Sequence, residues 1–359
     1  MTLEQLLSLL AFGVKRGASD IHLEAGFAPS YRIRGELLGA KMEKLTPEDT
    51  LAIAHHIVPP DDPFFSDNKA EIDRGFGIAG VSRFRASIFR QRAAIGLVLR
   101  VVPFDVPTLR QLNLPVVLDA ITGARQGLVL VTGATGSGKT TTISAMLGHM
   151  EKSDRLHIIT IEEPIEFLLN PTKSLIIQRE VGADTATYGT ALRSALRQDP
   201  DVLMVGEMRD RETAEICLKA GETGHLVISS LHTVDAQRTI GRFVGMFAPE
   251  EQPAARGRLA DTLKAVVGLR LIVRTDGQGQ IPAVEVLLST RAIQEAIRDP
   301  AKTEDIPTLM EKARDVGMQT FDQHLVDMCR SGAITAETAM RGATRPGDIQ
   351  RALMLGGGS

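Results

Sequence analysis

The chain has 359 residues, of which 43% are hydrophobic and 24% charged, with a formal net charge of -3. That length exceeds one ordinary domain and predicts two, each of globular composition. No stretch approaches the roughly 18 uncharged apolar residues of a membrane span, and the mild acidity disfavours a dedicated nucleic-acid binder.

The opening MTLEQLLSLLAFGVKRG places Leu3, Leu6, Leu7 and Leu10 at helical spacing. Glu4 and the lack of an early basic region argue against a signal peptide, so an amphipathic helix packing on its own domain is expected. Residues 1–102 then alternate short strand patterns (IHLEAG, YRIRGELLG, VSRFRASIFRQ, IGLVLRVV) with the helical PEDTLAIAHHIV, an α+β pattern. The stretch at 103–115, with three prolines, reads as a linker. From about 116 to the end, apolar runs alternate with helical segments: LVLVT (128–132), HIITI (157–161), DVLMVG (201–206) and HLVISSL (225–231). Such runs suit strands buried on both faces of a mostly parallel sheet, where ligands gather at the carboxyl ends of the strands. Helical segments follow from about 290, and the GGGS tail is expected to be flexible. Cys217 and Cys329 lie far apart, without CxxC neighbours, and read as free thiols.

The first apolar run is followed by GATGSGKT, Gly133-Ala134-Thr135-Gly136-Ser137-Gly138-Lys139-Thr140, a full G-x-x-x-x-G-K-[ST] match, with Thr141 next. Its glycines let backbone N–H groups surround phosphate oxygens, Lys139 brings a cation to the β- and γ-phosphates, and the Thr140 hydroxyl can ligate Mg²⁺. ATP and Mg²⁺ are therefore the expected cofactors. The second run is followed by Glu162, Glu163 and Glu166, and the third by Glu207. A phosphate-bound Mg²⁺ needs a carboxylate, and hydrolysis needs one to orient water; two acidic strand ends suit those jobs without ordering them. His232 ends the fourth run and His225 begins it; either can be structural or can sense the γ-phosphate. His55 and His56 read as structural. No LSGGQ-like signature is present, which disfavours a transporter ATPase and favours a motor or switch.

GATGSGKTTT, ITIEEPIEF, DPDVLMVGEMRD and ETGHLVISSLHT occur in that order and resemble the Walker A, Asp, Walker B and His boxes of the secretion-type ATPase superfamily. SDIHLEAGFAPSYRIRGEL, EIDRGFGI, GVSRFRASIFRQR and GMQTFDQHLVDMCRSGAIT resemble its PilT-like branch, the type IV pilus retraction ATPases. The likeness covers nearly the whole chain. It implies an α/β, RecA-like P-loop domain preceded by a smaller α+β (PAS-like) domain. It further implies a homohexamer at the cytoplasmic face of the inner membrane that couples ATP hydrolysis to pilin depolymerisation and twitching. The implied partners are an inner-membrane platform protein and a second pilus ATPase, with no nucleic acid.

Within that resemblance Glu162 is the general base, Glu207 the Walker B acid, Glu163 an Asp-box metal-site acid, and His232, with His225, the His-box residues. It also bears on RFRASIFRQRAAIGLVLR, where five arginines stand without an acid. The family's finger positions fall on Arg85 and Arg100, which would reach a phosphate across the subunit boundary; such a guanidinium is worth roughly 10³–10⁵ in rate. Arg83, Arg90 and Arg92 read as interface or surface residues. The sequence departs from the family at Glu163, where a shorter acid is usual, at Ala134, and at Glu295 and Ala296 in AIQEAIRD. An accessory retraction paralogue and an assembly ATPase are the alternatives. The lack of a tetracysteine module and the short first domain count against assembly. A nucleic-acid translocase is the distant alternative, and its binding would fall steeply with salt.

Overall fold

The computed structural model describes residues 1–66, 69–102, 106–277 and 279–355. The first three positions of the expected linker, 103–105, and the GGGS tail, 356–359, lie outside the described residues. The chain divides into two compact units, Met1–Asp105 with Pro164–Leu168, and Val106–Glu163 with Leu169–Ser359.

In the first unit α1 (Leu3–Lys15) opens on a capping box: the Thr2 hydroxyl accepts from the Gln5 N–H, and the Gln5 side chain accepts from the Thr2 N–H. Strands β1 (Ala18–Glu24), β2 (Ser30–Ile33) and β3 (Glu36–Gly39) precede α2 (Pro47–Ile57) and the short α3 (Pro63–Ser66). Strands β4 (Glu71–Ile78), β5 (Ser82–Gln91) and β6 (Ala94–Val102) complete an antiparallel sheet of order β3-β2-β1-β6-β5-β4. Leu6, Leu9 and Leu10 of α1 and Ile53 of α2 join Phe84, Ile88, Leu97 and Leu99 of the sheet in one core. Along β5 the side chains alternate as a half-buried strand demands: Phe84, Ala86 and Ile88 are buried, whereas Arg85 and Ser87 are exposed. Arg92 and Ala93, both at positive φ, form the two-residue hairpin turn joining β5 to β6. Gly96 faces Phe89 across that hairpin, where a Cβ would stand 2.7 Å from the ring.

The second unit begins with α4 (Val117–Thr122), β7 (Gly127–Thr132), α5 (Lys139–Ser153), β8 (His157–Glu162) and β9 (Leu175–Glu180). It continues with α6 (Tyr188–Ala195), β10 (Val202–Val205), α7 (Arg211–Glu222), β11 (Leu226–Leu231), α8 (Ala236–Val244) and α9 (Gln252–Thr262). The hairpin β12 (Leu263–Val273) and β13 (Gln280–Leu288) precedes helices α10 (Arg291–Arg298), α11 (Ile306–Glu311), α12 (Phe321–Arg330), α13 (Ala336–Gly342) and α14 (Pro346–Leu355). The sheet runs β13-β12-β7-β11-β10-β8-β9, parallel throughout except between β12 and β13. Leu128 and Leu130 enter a core with Leu218 of α7 and Phe243 of α8, while Val129 and Val131 enter another with Met146 and Met150 of α5. Burial on both faces explains the unbroken apolar runs. The fold of this unit is thus the expected α/β class, and a smaller mixed unit precedes it in the chain.

Four of the seven strands were named by their apolar runs; β9, β12 and β13 were not. Helix α9 passes into β12 without a glycine or proline between them, so no local signal marks the change of period. Within the expected linker, Leu109 and Leu114 are buried in the second unit's core with Val129 and Ile143. Cys217 is a buried free thiol pushed up to about 12 by burial and then by the Asp210 charge, and Cys329 is half-buried.

Glu285 on β13 is buried and accepts a 2.6 Å hydrogen bond from the Ala236 N–H at the start of α8. Burial, and then the nearby Asp235 charge, push its carboxyl up to about 7, against the opposing pull of that N–H and of Arg270. Between the unfolded value of 4.5 and about 7 the folded chain holds the extra proton, so this group's contribution is present at low pH and lost as pH rises through 7. Relative to wild type, Glu285→Gln is therefore expected to gain up to about 3 kcal/mol on going from pH 5 to pH 8. Thermal denaturation of both proteins at the two pH values checks this; a pH-independent difference would contradict it.

Candidate nucleotide site

Strands β7, β11, β10 and β8 are parallel neighbours, so their carboxyl ends emerge at one edge of the sheet. The P-loop follows β7, Glu162 ends β8, Gly206 and Glu207 follow β10, and His232 follows β11. The parallel register therefore gathers at one edge four motifs that are separate in sequence.

Gly133, Gly136 and Gly138 have φ of 148°, 77° and 91°. At Gly133 a Cβ would stand 2.3 Å from Ser137 Oγ and 2.6 Å from the Leu269 carbonyl, so the loop can close only around a glycine. Gly138 is the N-cap of α5 and no side chain caps that end, which leaves the first N–H groups of a 15-residue helix for an anion. Lys139 is buried, and its Nζ donates to the carbonyls of Gly133 (2.9 Å) and Ala134 (3.0 Å). Among the described residues, the buried hydroxyls of Thr132, at the end of β7, and Ser137, within the loop, have no hydrogen-bond partner. Orphaned donors, an open helix end and a buried ammonium fit a polyphosphate. Thr140 and Thr141 stand at the second and third positions of the helix, and Thr135 lies in the loop before it.

The acids differ in setting. Glu162 is buried; its Oε1 accepts from the Thr160 hydroxyl (2.6 Å) and from Gln178 Nε2 (3.1 Å), Gln178 being the register partner of Thr160 on β9. Glu207 Oε2 accepts from Arg209 Nε (2.8 Å), and its Oε1 lies 3.3 Å from His232 Nε2. Arg209 also reaches Glu163 through Nη1 (3.4 Å) and so bridges the acids that follow β8 and β10. Glu166 is exposed and falls with the other unit. Burial, then the Glu163 charge, raise the Tyr188 phenol, so it stays protonated beside these carboxylates. His225 Nδ1 lies 3.0 Å from the Ala220 carbonyl at the end of α7, a structural contact.

Arg209, Gln178 and Tyr188 were missed by sequence reasoning. Arg209 stands inside the quoted GEMRD, where only its spacing from Glu207 was a signal; Gln178 and Tyr188 carry none.

In the first unit Arg85 and Arg100 are register partners on β5 and β6, with Asp20 opposite Arg100 on β1. Like charges placed directly across strands repel, and each has a carboxylate: Arg100 Nε donates to Asp20 (3.0 Å), and Arg85 lies 3.9 Å from Asp73. Burial alone would raise the Asp20 carboxyl, yet hydrogen bonds from Ser19 and Arg100 and the Arg100 charge hold it below the usual range. Arg90 differs, with its guanidinium 5.1 Å from the Phe64 ring centre and donating to the carbonyls of Phe64 (3.1 Å) and Lys69 (3.2 Å). Arg90→Ala is therefore expected to cost about 1–3 kcal/mol of stability, whereas Arg85→Ala changes stability by under about 0.5 kcal/mol. Denaturant titration of the two variants separates these roles.

A P-loop at the carboxyl edge of a mostly parallel sheet, with acids and a histidine on the neighbouring strand ends, defines a P-loop nucleotide-binding protein. The sequence model of the type II/IV secretion system protein family matches residues 108–280. The chain is 40% identical over 341 residues to the type IV pilus retraction ATPase PilT of Pseudomonas aeruginosa, covering 95% of this chain and 98% of PilT. To the type IV pilus ATPase PilU of the same species it is 36% identical, covering 99% and 92%. A crystal structure of the pilus retraction motor PilT with bound ADP matches with a TM-score of 0.86 at 39% identity, over 98% of this chain and 99% of that one. The chain belongs to the type II/IV secretion system protein family.

Proposed function

We propose that this protein is a ring-forming ATPase that drives type IV pilus retraction from the cytoplasmic face of the inner membrane. The observation that carries this reading is the end-to-end 40% identity to a pilus retraction ATPase. Its working parts are a first domain of about residues 1–102, a connection at 103–115 and an ATPase domain from 116 onward.

In this reading the P-loop backbone, Lys139 and Thr141 bind the phosphates. Thr140, Glu207 and Glu163 are the residues that would hold Mg²⁺, which would neutralise charge on the phosphates. Glu162 orients and deprotonates water; its bonds from Thr160 and Gln178 support this role by fixing the carboxylate's direction. His232, beside Glu207, senses the terminal phosphate. Arg85 and Arg100 act on the neighbouring subunit's nucleotide in a homohexamer. Mixing Arg85→Ala with wild-type subunits is then expected to depress activity below the weighted mean, because each variant subunit silences a neighbour's site. Strictly additive turnover across the mixing series would refute action in trans.

Deletion of the gene, with pili counted and twitching scored in the same cells, tests the function. Abundant pili without twitching support retraction, whereas bald cells mean assembly. The near-complete match to PilU favours one second reading, an accessory motor beside another pilus ATPase. The departures in AIQEAIRD belong to that question. Ala296 is buried in the α10 packing, and Glu295 is exposed 3.4 Å from Arg291. Normal pili and normal twitching after deletion would support the accessory reading.

A further inference from the structure

We propose that Glu285 is a positioning residue for ATP hydrolysis, fixing the loop that carries His232 by tying the start of α8 to the start of α12. The role rests on the reading of His232 as the residue beside Glu207 that meets the terminal phosphate.

The sheet register puts Glu285 level with that loop. Glu285 pairs with Gly268 on β12, Gly268 with Thr132 on β7, and Thr132 with Leu231 on β11, one row across the edge that holds the P-loop. His232 follows Leu231 directly, and only residues 232–235 separate β11 from α8. Ala236 is the first residue of α8, and its N–H donates to Glu285 Oε2 (2.6 Å). Phe321 is the first residue of α12, and its N–H is hydrogen-bonded to the same carboxyl group. A helix leaves its first N–H groups without partners of its own, and a carboxylate is favoured at that end. One buried side chain thus serves two helix starts. Gly268 makes the niche for it: a Cβ there would stand 2.9 Å from the Phe321 ring and 3.2 Å from the Glu285 Cβ.

The rest of the loop is held from the same side. Arg270 of β12 donates to the Val234 carbonyl (3.4 Å), the Gly342 carbonyl (2.8 Å) and the Thr344 hydroxyl (3.1 Å), with its guanidinium 3.8 Å from the Phe321 ring centre. Thr233 Oγ1 lies 2.6 Å from Thr239 Oγ1, and Asp235 caps α8 by accepting from the Arg238 N–H (2.7 Å). Thr233, Val234 and Asp235 are each tied down, and His232 is left to reach Glu207, 3.3 Å away. An acid buried beside the Asp235 charge is costly; the two N–H groups and Arg270 offset that cost. A displacement of about 1 Å at a group in the reaction lowers the rate about a hundredfold, so the support of such a group carries function.

Turnover, binding and a histidine ring signal test the role at about pH 8, above the value of about 7 to which the Glu285 carboxyl is pushed. Glu285→Gln keeps the shape and one acceptor oxygen, whereas Glu285→Leu removes both. The expected fall in kcat is about tenfold for Glu285→Gln and about a hundredfold for Glu285→Leu, with ADP affinity by calorimetry within about threefold of wild type in both. Should Glu285→Leu fail to fold, Glu285→Gln carries the test. In nucleotide-free protein with labelled histidine, the His232 ring resonance is expected to move in the variants, while that of His225, at the far end of β11, stays. His232→Ala assigns the resonance and is expected to lower kcat at least as far as Glu285→Leu. In Glu285→Gln, a kcat within about twofold of wild type or an unmoved His232 resonance would overturn the positioning role, as would equal loss of ADP affinity and kcat. Full turnover in His232→Ala would instead remove His232 from the reaction, and the ring resonance would still show whether Glu285 holds the loop.

Discussion

Glu162→Gln is expected to lower kcat for ATP hydrolysis by about 10²–10⁴ while leaving nucleotide affinity within about threefold of wild type. The amide keeps the shape of the carboxylate and can still accept from Thr160 and Gln178, so the strand end should stay ordered. What it loses is the capacity to take a proton from water. Thr160 and Gln178 hold Oε1 from β8 and β9, and this positioning is the structural reason to expect so large a loss from one atom's change. Single-turnover hydrolysis beside calorimetric binding of ADP measures both quantities. A variant with near-normal turnover would remove Glu162 from the base role, and one that lost nucleotide affinity in parallel would make it a structural support of the loop.

Lys139→Ala is expected to abolish measurable hydrolysis and also to weaken nucleotide binding by about ten- to a hundredfold, the worth of a charge-assisted hydrogen bond to phosphate. The physical basis is different from that of Glu162. The ammonium donates to the Gly133 and Ala134 carbonyls, so it is held inside the loop by two backbone acceptors before any phosphate is considered. Its removal takes away a buried cation and leaves both carbonyls short of that donor. Intact nucleotide affinity in Lys139→Ala would show that the backbone N–H groups and the open end of α5 suffice for binding. Taken together the two variants form a pair: one is expected to separate binding from chemistry, the other to lose both.

The parts of the site legible in the sequence are those whose geometry is local. Eight contiguous residues, Gly133 to Thr140, carry the phosphate loop because positive φ at three glycines and the start of a helix are short-range properties. Glu162, Glu207 and His232 were readable for a related reason. Each directly follows an apolar run, and parallel strands present their carboxyl ends at one edge whatever their order. The five arginines between 83 and 100 were visible as a cluster, but not as different kinds of residue. Strand alternation separates Arg85 from its buried neighbours, yet only the position of Phe64 and the Lys69 carbonyl makes Arg90 structural.

The sequence by itself determined the α/β class, the phosphate loop and the acids at the strand ends, because each is written in short runs of neighbouring residues. Tertiary structure alone decided the order of the sheet, and hence which strands flank β7. It also decided that Arg209 joins Glu207 to Glu163, that Gln178 holds Glu162, and that Arg270 ties Val234 to Gly342 and Thr344. Those partners stand from 2 to 74 positions apart, and most have no pattern relating them. They meet because burying both faces of the sheet fixes its neighbours, and a hydrogen bond forms only where that packing has already brought donor and acceptor within reach.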